Sequence, residues 1–93
     1  MSTNIDWSQL ITRAMKEQAA NDQVLVDALA ENAKCRTVAD KAIAPLQDAV
    51  DIDEATDAEV LLWKAWKKYR VALNRVPEQL GYPATIDWPV APA

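Results

Sequence analysis

Residues 56–77 read TDAEVLLWKAWKKYRVALNRVP, and local chemistry marks both ends of this stretch. Thr56 and Glu59 form a capping-box pattern, in which each side chain accepts a hydrogen bond from the other residue's backbone N–H. Pro77 biases Val76 away from helical geometry. The sequence therefore predicts a helix that begins after Thr56 and runs to about Val76.

Two sets of residues spaced in steps of four and three lie on either side of a short acidic turn. We call each set a seam, because residues at this spacing line one side of a helix. This 3.5-residue period is typical of coiled coils and helical hairpins. Because only residues 51–55 separate the two predicted helices, we expect an antiparallel hairpin. The first seam comprises Leu25, Leu29, Asn32, Arg36, Ala39, Ile43, Leu46 and Val50, and the second comprises Leu62, Trp66, Tyr69, Leu73 and Val76.

The first fifty residues contain two expected interruptions. Asn21 and Asp22 form a polar break after an amphipathic stretch that includes Trp7 and Met15, which predicts a short N-terminal helix. Pro45 lacks a backbone donor and clashes with the preceding turn, so we expect a kink or a restart near residues 42–45.

Residues 77–93 contain four of the five prolines and the single glycine, which predicts an irregular or extended tail. The expected fold is all-α in one small domain. Its segments are an N-terminal helix in residues 1–22, an antiparallel helical hairpin in residues 23–76 and an extended Pro-rich C-terminal tail in residues 77–93.

The chain is small, and its apolar content is diluted by alanine. Hydrophobic residues make up 51% of its 93 residues, yet the mean hydropathy is only -0.20. A short chain buries a modest fraction of its surface. The core is therefore expected to be thin or to be completed by a partner.

Charge is segregated along the chain, whose net charge is -4. Residues 48–59 carry six acids and no cation, and residues 64–75 carry five cations and no acid. The simplest interpretation is that the charges complement the dipole of the second hairpin helix, and the alternative is a phosphate-binding stripe. The negative net charge argues against nucleic acid as a partner.

No residue pattern points to catalysis, a cofactor or a metal. Cys35 is the only cysteine, and the chain has no histidine that could activate it. The acidic residues from Asp48 to Asp57 loosely resemble a calcium loop, but the required glycine is absent and the spacing is wrong. The sequence is not that of an enzyme.

The chain has no membrane-targeting pattern. No apolar run approaches the length of a transmembrane helix. The first residues lack the basic and apolar regions of a secretory signal. We therefore expect no contact with a membrane.

Aromatic residues and arginines near the end of the chain are candidates for a partner surface, because such residues most often carry interface energy. Trp66 and Tyr69 lie on the second seam and are expected in the core, whereas the lysines of that helix are expected in solvent. The candidate partner-binding residues are Trp63, Arg70, Arg75, Tyr82 and Trp88.

Three segments in order also resemble a known family. They are AIAPLQDAVD at residues 42–51, WKKYRVALNRV at residues 66–76 and YPATIDWP at residues 82–89. Together they are similar to the C-terminal domain of the tail fibre assembly proteins of tailed bacteriophages. The likeness covers residues from about 36 to 93.

This resemblance implies a phage or prophage chaperone that binds the tip of the receptor-binding tail fibre or tailspike and assists its folding and trimerisation. Such a protein would act in the bacterial host cytoplasm, and in some phages it stays on the virion. The family offers no catalytic residues. Many members carry a β-rich domain ahead of this part, whereas this chain shows no strand-like alternation there. An alternative is a structural protein that self-associates as a coiled-coil homo-oligomer.

Overall fold

The computed structural model describes residues 7–92, with side chains from residue 12 onward, and it is dominated by two helices. α1 spans Trp7–Asp51 and α2 spans Asp57–Arg75, followed by a 3-10 turn at Val76–Glu78. No strand occurs within the described range. The predicted all-α class is confirmed.

α1 continues through Asn21 and Asp22, so the expected separate N-terminal helix is wrong. Asparagine and aspartate are only weakly unfavourable inside a helix. Two side-chain hydrogen bonds between neighbouring turns stabilise this region, from Gln18 to Asp22 at 2.9 Å and from Gln23 to Asp27 at 2.8 Å. The side chain of Trp7, which belongs to the amphipathic stretch, lies outside the described ones.

Pro45 also lies inside α1, and the helix does not restart there. A proline in a helix removes one hydrogen bond and costs about 3 kcal/mol. Pro45 and Lys41, whose carbonyl loses its partner, are both exposed, so water can reach that carbonyl. Ile43 and Leu46, on either side of the proline, are buried and stabilise the helix against this cost.

The turn between the helices is defined by hydrogen bonds at both of its ends. At the end of α1, the N–H of Asp53 donates to Val50 and the N–H of Glu54 donates to Ala49, at 3.1 and 2.9 Å. Asp53 has a φ of 59°, so this is a Schellman motif with aspartate at the position that glycine usually takes.

The predicted capping box at the start of α2 is confirmed. The N–H of Glu59 donates to Oγ1 of Thr56, and the N–H of Thr56 donates to Oε1 of Glu59, both at 3.1 Å. These two bonds satisfy backbone donors that the first helical turn leaves free.

α2 contacts the C-terminal half of α1 in antiparallel order. The Trp63 indole bonds to Gln47 near the turn, and the Asn74 side chain accepts a bond from Arg36 farther away. Leu62 is 38% exposed, so its expected place in the core is wrong. The buried cluster comprises Ala39, Ile43, Tyr69 and Leu73.

Within residues 7–92, no other helix lies beside the N-terminal half of α1. α1 has 45 residues and α2 has 19, which correspond to about 68 Å and about 28 Å at 1.5 Å per residue. The molecule measures 83 × 19 × 18 Å. All residues from 12 to 27 are exposed.

The segment after the 3-10 turn folds back along the two helices. It includes a cis peptide bond between Tyr82 and Pro83 and a turn at Gly81, whose φ is 89°. A side chain at Gly81 would also meet the Cβ of Thr85 at 3.3 Å. Glycine is therefore required at this turn.

Candidate functional site

An open groove of about 890 Å³ lies between α2 and the C-terminal tail. Its apolar lining consists of Trp63, Val71, Ala72, Trp88 and Pro89. Its polar lining consists of Lys64, Lys67, Lys68, Arg75, Gln79 and Asp87. Concave sites with apolar walls and a few polar groups are typical of binding sites in proteins.

The tail wall of the groove is held by one glutamine. Nε2 of Gln79 donates to the carbonyl oxygen of Asp87, and the N–H of Asp87 donates to Oε1 of Gln79, both at 2.8 Å. This double hydrogen bond fixes the backbone beside Trp88, which packs against the buried cluster and is half-buried. Trp88 therefore has a fixed position although its own segment forms no regular secondary structure.

Trp88 also lines a second, smaller hollow of about 510 Å³ between α1 and the tail. Val24 and Ala28 contribute from α1, and Pro83 and Ile86 contribute from the tail. The Trp88 indole is thus a shared wall of both hollows. Its truncation would widen the groove and loosen the contact between tail and helix.

The Trp63 indole is oriented by two contacts. Its Nε1 donates to Oε1 of Gln47 at 2.9 Å, which ties the ring to α1. The Lys67 ammonium lies over the ring, 4.7 Å from its centroid. A cation at this distance from an aromatic face is attracted by the ring quadrupole. Trp63 and Lys67 therefore form one ordered part of the groove.

No carboxylate of the described residues forms an ion pair with the cations of the groove. Among the side chains that the structure describes, Arg70 and Asp40 form the one ion pair, at 3.0 Å. α2 contains no acid after Glu59, so its lysines cannot form ion pairs one turn away. Lys64 and Lys68 are exposed, and Lys67 is half-buried.

The structure brings together three of the five residues expected to form a partner surface. Trp63, Arg75 and Trp88 line the groove. Arg70 does not line it, because its guanidinium bonds to Asp40 on α1. Tyr82 does not line it either and is half-buried in the turn before Pro83.

Several residues of the groove are not among the candidates predicted from the sequence. The lysines of α2 were expected simply to face solvent, but all three line the groove and Lys67 stacks on Trp63. Their interleaving with tryptophans was the available signal. No sequence pattern pointed to the pairing of Gln79 with Asp87, which depends on the path of the tail.

Trp66 and Tyr69 form an aromatic pair, and Tyr69 also has a polar contact. Trp66 and Tyr69 meet edge to face with ring centroids 5.7 Å apart and planes at 80°. A side-chain hydrogen bond with Cys35, followed by burial, raises the pKa of Tyr69 to about 12. The thiol of Cys35 donates to Oε1 of Glu31 at 3.7 Å. These contacts tie the middle of α1 to α2.

Within the described residues, no group of three or more cysteine, aspartate or glutamate side chains is arranged to hold a metal ion. In the same part of the chain, neither helix combines the length and apolar character needed to cross a membrane.

Several similar proteins are found, and two of the following three are named for tail fibre assembly. The chain is 54% identical over 55 residues to "Protein TfaD" of Escherichia coli (strain K12), a match that covers 59% of this chain and 28% of the relative. It is 53% identical over 55 residues to the "Tail fiber assembly protein" of Escherichia phage lambda, with 59% and 27% covered. It is 53% identical over 55 residues to the "Prophage tail fiber assembly protein homolog TfaR" of the same E. coli strain, with 59% and 28% covered.

These matches therefore span little more than a quarter of the length of each relative. No solved structure matches the chain. The sequence model of the family described as "Caudovirales tail fibre assembly protein, lambda gpK" matches residues 2–93. The chain belongs to this family of tail fibre assembly proteins.

Proposed function

We propose that this protein is a phage tail fibre assembly chaperone that binds the tip of the receptor-binding fibre and assists its folding and trimerisation. Family membership and the names of the relatives support this role. The protein would act in the host cytoplasm during virion assembly, through protein contacts rather than nucleic acid or membrane. In this proposal, the antiparallel helix pair and its Pro-rich tail form the part of the protein that carries out this function.

The observation that carries the proposal is the groove between α2 and the tail. It presents the indoles of Trp63 and Trp88 and the guanidinium of Arg75 on one concave surface. Tryptophan and arginine are the residues most enriched among those that dominate binding energy at interfaces. In this proposal, the groove would cover apolar surface that the fibre tip exposes before it trimerises.

Arg70 and Tyr82 are not part of this proposed surface. The Arg70 guanidinium is engaged by Asp40, and Tyr82 lies away from the groove lining. The proposed contact residues are therefore Trp63, Arg75 and Trp88.

Co-expression with the neighbouring fibre gene tests the proposal. Trp88→Ala and Trp63→Ala should each lower the yield of soluble fibre trimer, because truncating a dominant interface residue costs about 2 kcal/mol or more, on the order of a thirtyfold loss in affinity. Leu80→Ala is the matched control, since Leu80 is on the tail, 99% exposed and outside the groove lining. Its trimer yield should equal that of the wild type.

Circular dichroism of each purified variant separates binding from folding. A retained helix signal with a lowered trimer yield supports the groove as the binding surface. Unchanged trimer yield for both tryptophan variants would place the fibre contact elsewhere. If both variants lose their helix signal, the two indoles are needed for folding. Arg75→Glu, a substitution of an exposed residue of the groove lining, then becomes the deciding variant.

A second candidate is a structural homo-oligomer formed by coiled-coil association. The specific observation is the exposure of residues 12–27 of α1, because helices in proteins gain most of their stability from packing against a neighbour. Leu25 and Leu29 are both exposed on this helix. Sedimentation of the wild type and of Leu29→Lys tests this: a stable oligomer that the variant dissociates would favour association, and a monomer would exclude it.

A further inference from the structure

We infer that the groove between α2 and the tail recognises an acidic protein segment, one whose carboxylates alternate with apolar or aromatic side chains. This inference rests on the proposed function, because the segment would belong to the fibre. It goes further by stating the chemistry of the ligand. Three observations carry it: a cluster of cations that form no ion pair with any described carboxylate, an apolar floor, and the negative charge of the rest of the molecule.

The cations are concentrated to a degree that is unfavourable in the free protein. Lys64, Lys67 and Lys68 are one, three and four residues apart, so they occupy one side of α2. Like charges at the three- and four-residue spacings destabilise a helix, and Arg75 adds a fourth cation to the groove. Among the described residues that line the groove, one carboxylate, that of Asp87, stands against these four cations. A ligand that brings carboxylates would relieve this repulsion.

The floor of the groove selects against a purely ionic ligand. Trp63 and Trp88 face the groove, with Val71 between them in sequence and 44% exposed. Burying such surface against another apolar side chain is favourable, whereas a chain of phosphates offers nothing to cover it. Lysines around an apolar floor therefore match a segment that alternates acidic and apolar residues.

The rest of the molecule disfavours nucleic acid in this groove. The net charge is -4, and six acids lie within residues 48–59, which include the start of the same helix. This negative charge repels an extended phosphate backbone but leaves a short peptide free to bind near the cations. The charge pattern therefore favours a local protein segment over a long polyanion.

Fluorescence anisotropy with labelled synthetic peptides tests the inference on the full chain. The first peptide alternates aspartate with leucine and phenylalanine, and the second carries asparagine at every aspartate. We expect the acidic peptide to bind at least about tenfold more tightly than the amide peptide. Raising the ionic strength from about 0.1 M to about 1 M, where the Debye length falls from about 10 Å to about 3 Å, should remove most of this difference.

Charge reversal identifies the site. Lys64→Glu with Lys68→Glu should weaken binding of the acidic peptide by about tenfold or more, because two attractions become repulsions. Lys34→Glu with Lys41→Glu is the matched control: it makes the same charge change on exposed α1 residues outside the groove and should leave binding nearly unchanged. Lys64→Gln with Lys68→Gln, which keeps helix-forming residues, should give an intermediate loss.

The inference would be overturned if the acidic peptide did not bind, or if the amide peptide bound equally well. It would also be overturned if a short single-stranded oligonucleotide bound as tightly as the acidic peptide, because the groove would then be a general anion site. Co-expression with the fibre distinguishes this failure from that of the proposed function. If the tryptophan variants lower the trimer yield but the lysine reversal does not, the chaperone role stands and the acidic ligand is rejected. If the peptide binds as expected but no groove variant changes the trimer yield, the ligand chemistry stands and its assignment to the fibre is rejected.

Discussion

Nδ2 of Asn32 donates a hydrogen bond of 2.9 Å to the main-chain carbonyl oxygen of Leu73, joining the middle of α1 to the end of α2. The same carbonyl oxygen also accepts a hydrogen bond from the N–H of Val76, so Asn32 supplies a second donor to it. Arg36 makes a similar bond of 2.7 Å to the side chain of Asn74. The polar centre of the first seam thus binds the C-terminal end of α2.

Asn32→Ala should lower the free energy of unfolding by about 0.5 to 1.5 kcal/mol, because it removes this partly buried bond. Urea denaturation followed by circular dichroism measures the change. Asn21→Ala is the control, since Asn21 is exposed on the same helix. That variant should match or exceed the wild type because alanine has the higher helix propensity. Equal midpoints for both variants would mean that the bond adds nothing.

Thr56→Ala should destabilise the protein by about 1 kcal/mol, because Oγ1 no longer accepts the N–H of Glu59. Thr37→Ala makes the same chemical change within α1, where the hydroxyl donates to the carbonyl of Ala33 at 3.0 Å. A bond of that kind gives little stability, so this control should be neutral or slightly stabilising. Thermal melts in which the two variants coincide would argue against the capping role.

The capping box, the continuity of α1 and the groove differ in how well the sequence predicts them. The capping box is a local pattern of four residues, and it predicted the start of α2 correctly. The continuity of α1 through Asn21 and Asp22 was missed, because their weak propensities do not decide whether a helix ends. The groove could not be derived, since its second wall depends on the bond between Gln79 and Asp87.

Asp53→Gly should stabilise the protein by about 0.5 to 1 kcal/mol. Asp53 has a φ of 59°, and relief from this left-handed conformation contributes about 1 to 2 kcal/mol. The greater freedom of glycine in the unfolded chain offsets about 0.4 to 1 kcal/mol of that gain. Asp51→Gly, at the last residue of α1, should act in the opposite direction. Guanidinium unfolding of both variants checks the sign, and a lower midpoint for Asp53→Gly would contradict the expectation.

Leu73→Ala should cost about 2 to 5 kcal/mol, because the side chain is fully buried and the cavity left behind would be only partly filled. Leu61→Ala changes the same residue type on the same helix where it is 69% exposed, and it should stay within about 0.5 kcal/mol of the wild type. Chemical denaturation gives both values. Similar losses for the two variants would show that the core is not where the buried cluster places it.

Tyr69 should make the protein lose stability at alkaline pH. Its hydrogen bond with Cys35, followed by burial, raises its pKa from the ordinary value of 10.0 to about 12. Between these values the unfolded chain releases the phenol proton while the folded chain keeps it, so the unfolded state binds fewer protons and stability falls as pH rises. The contribution is complete below pH 10 and is lost as pH rises towards 12.

Tyr69→Phe isolates this effect from the other groups that titrate at high pH. Below pH 10, the difference in unfolding free energy between wild type and variant should be constant. Between pH 10 and about pH 12, the wild type should lose stability relative to the variant. The ultraviolet absorbance of tyrosinate gives an independent measurement, because Tyr69 should ionise late and its signal should be missing from the variant. A constant stability difference across this range would show that the phenol ionises equally well in the folded and unfolded chain.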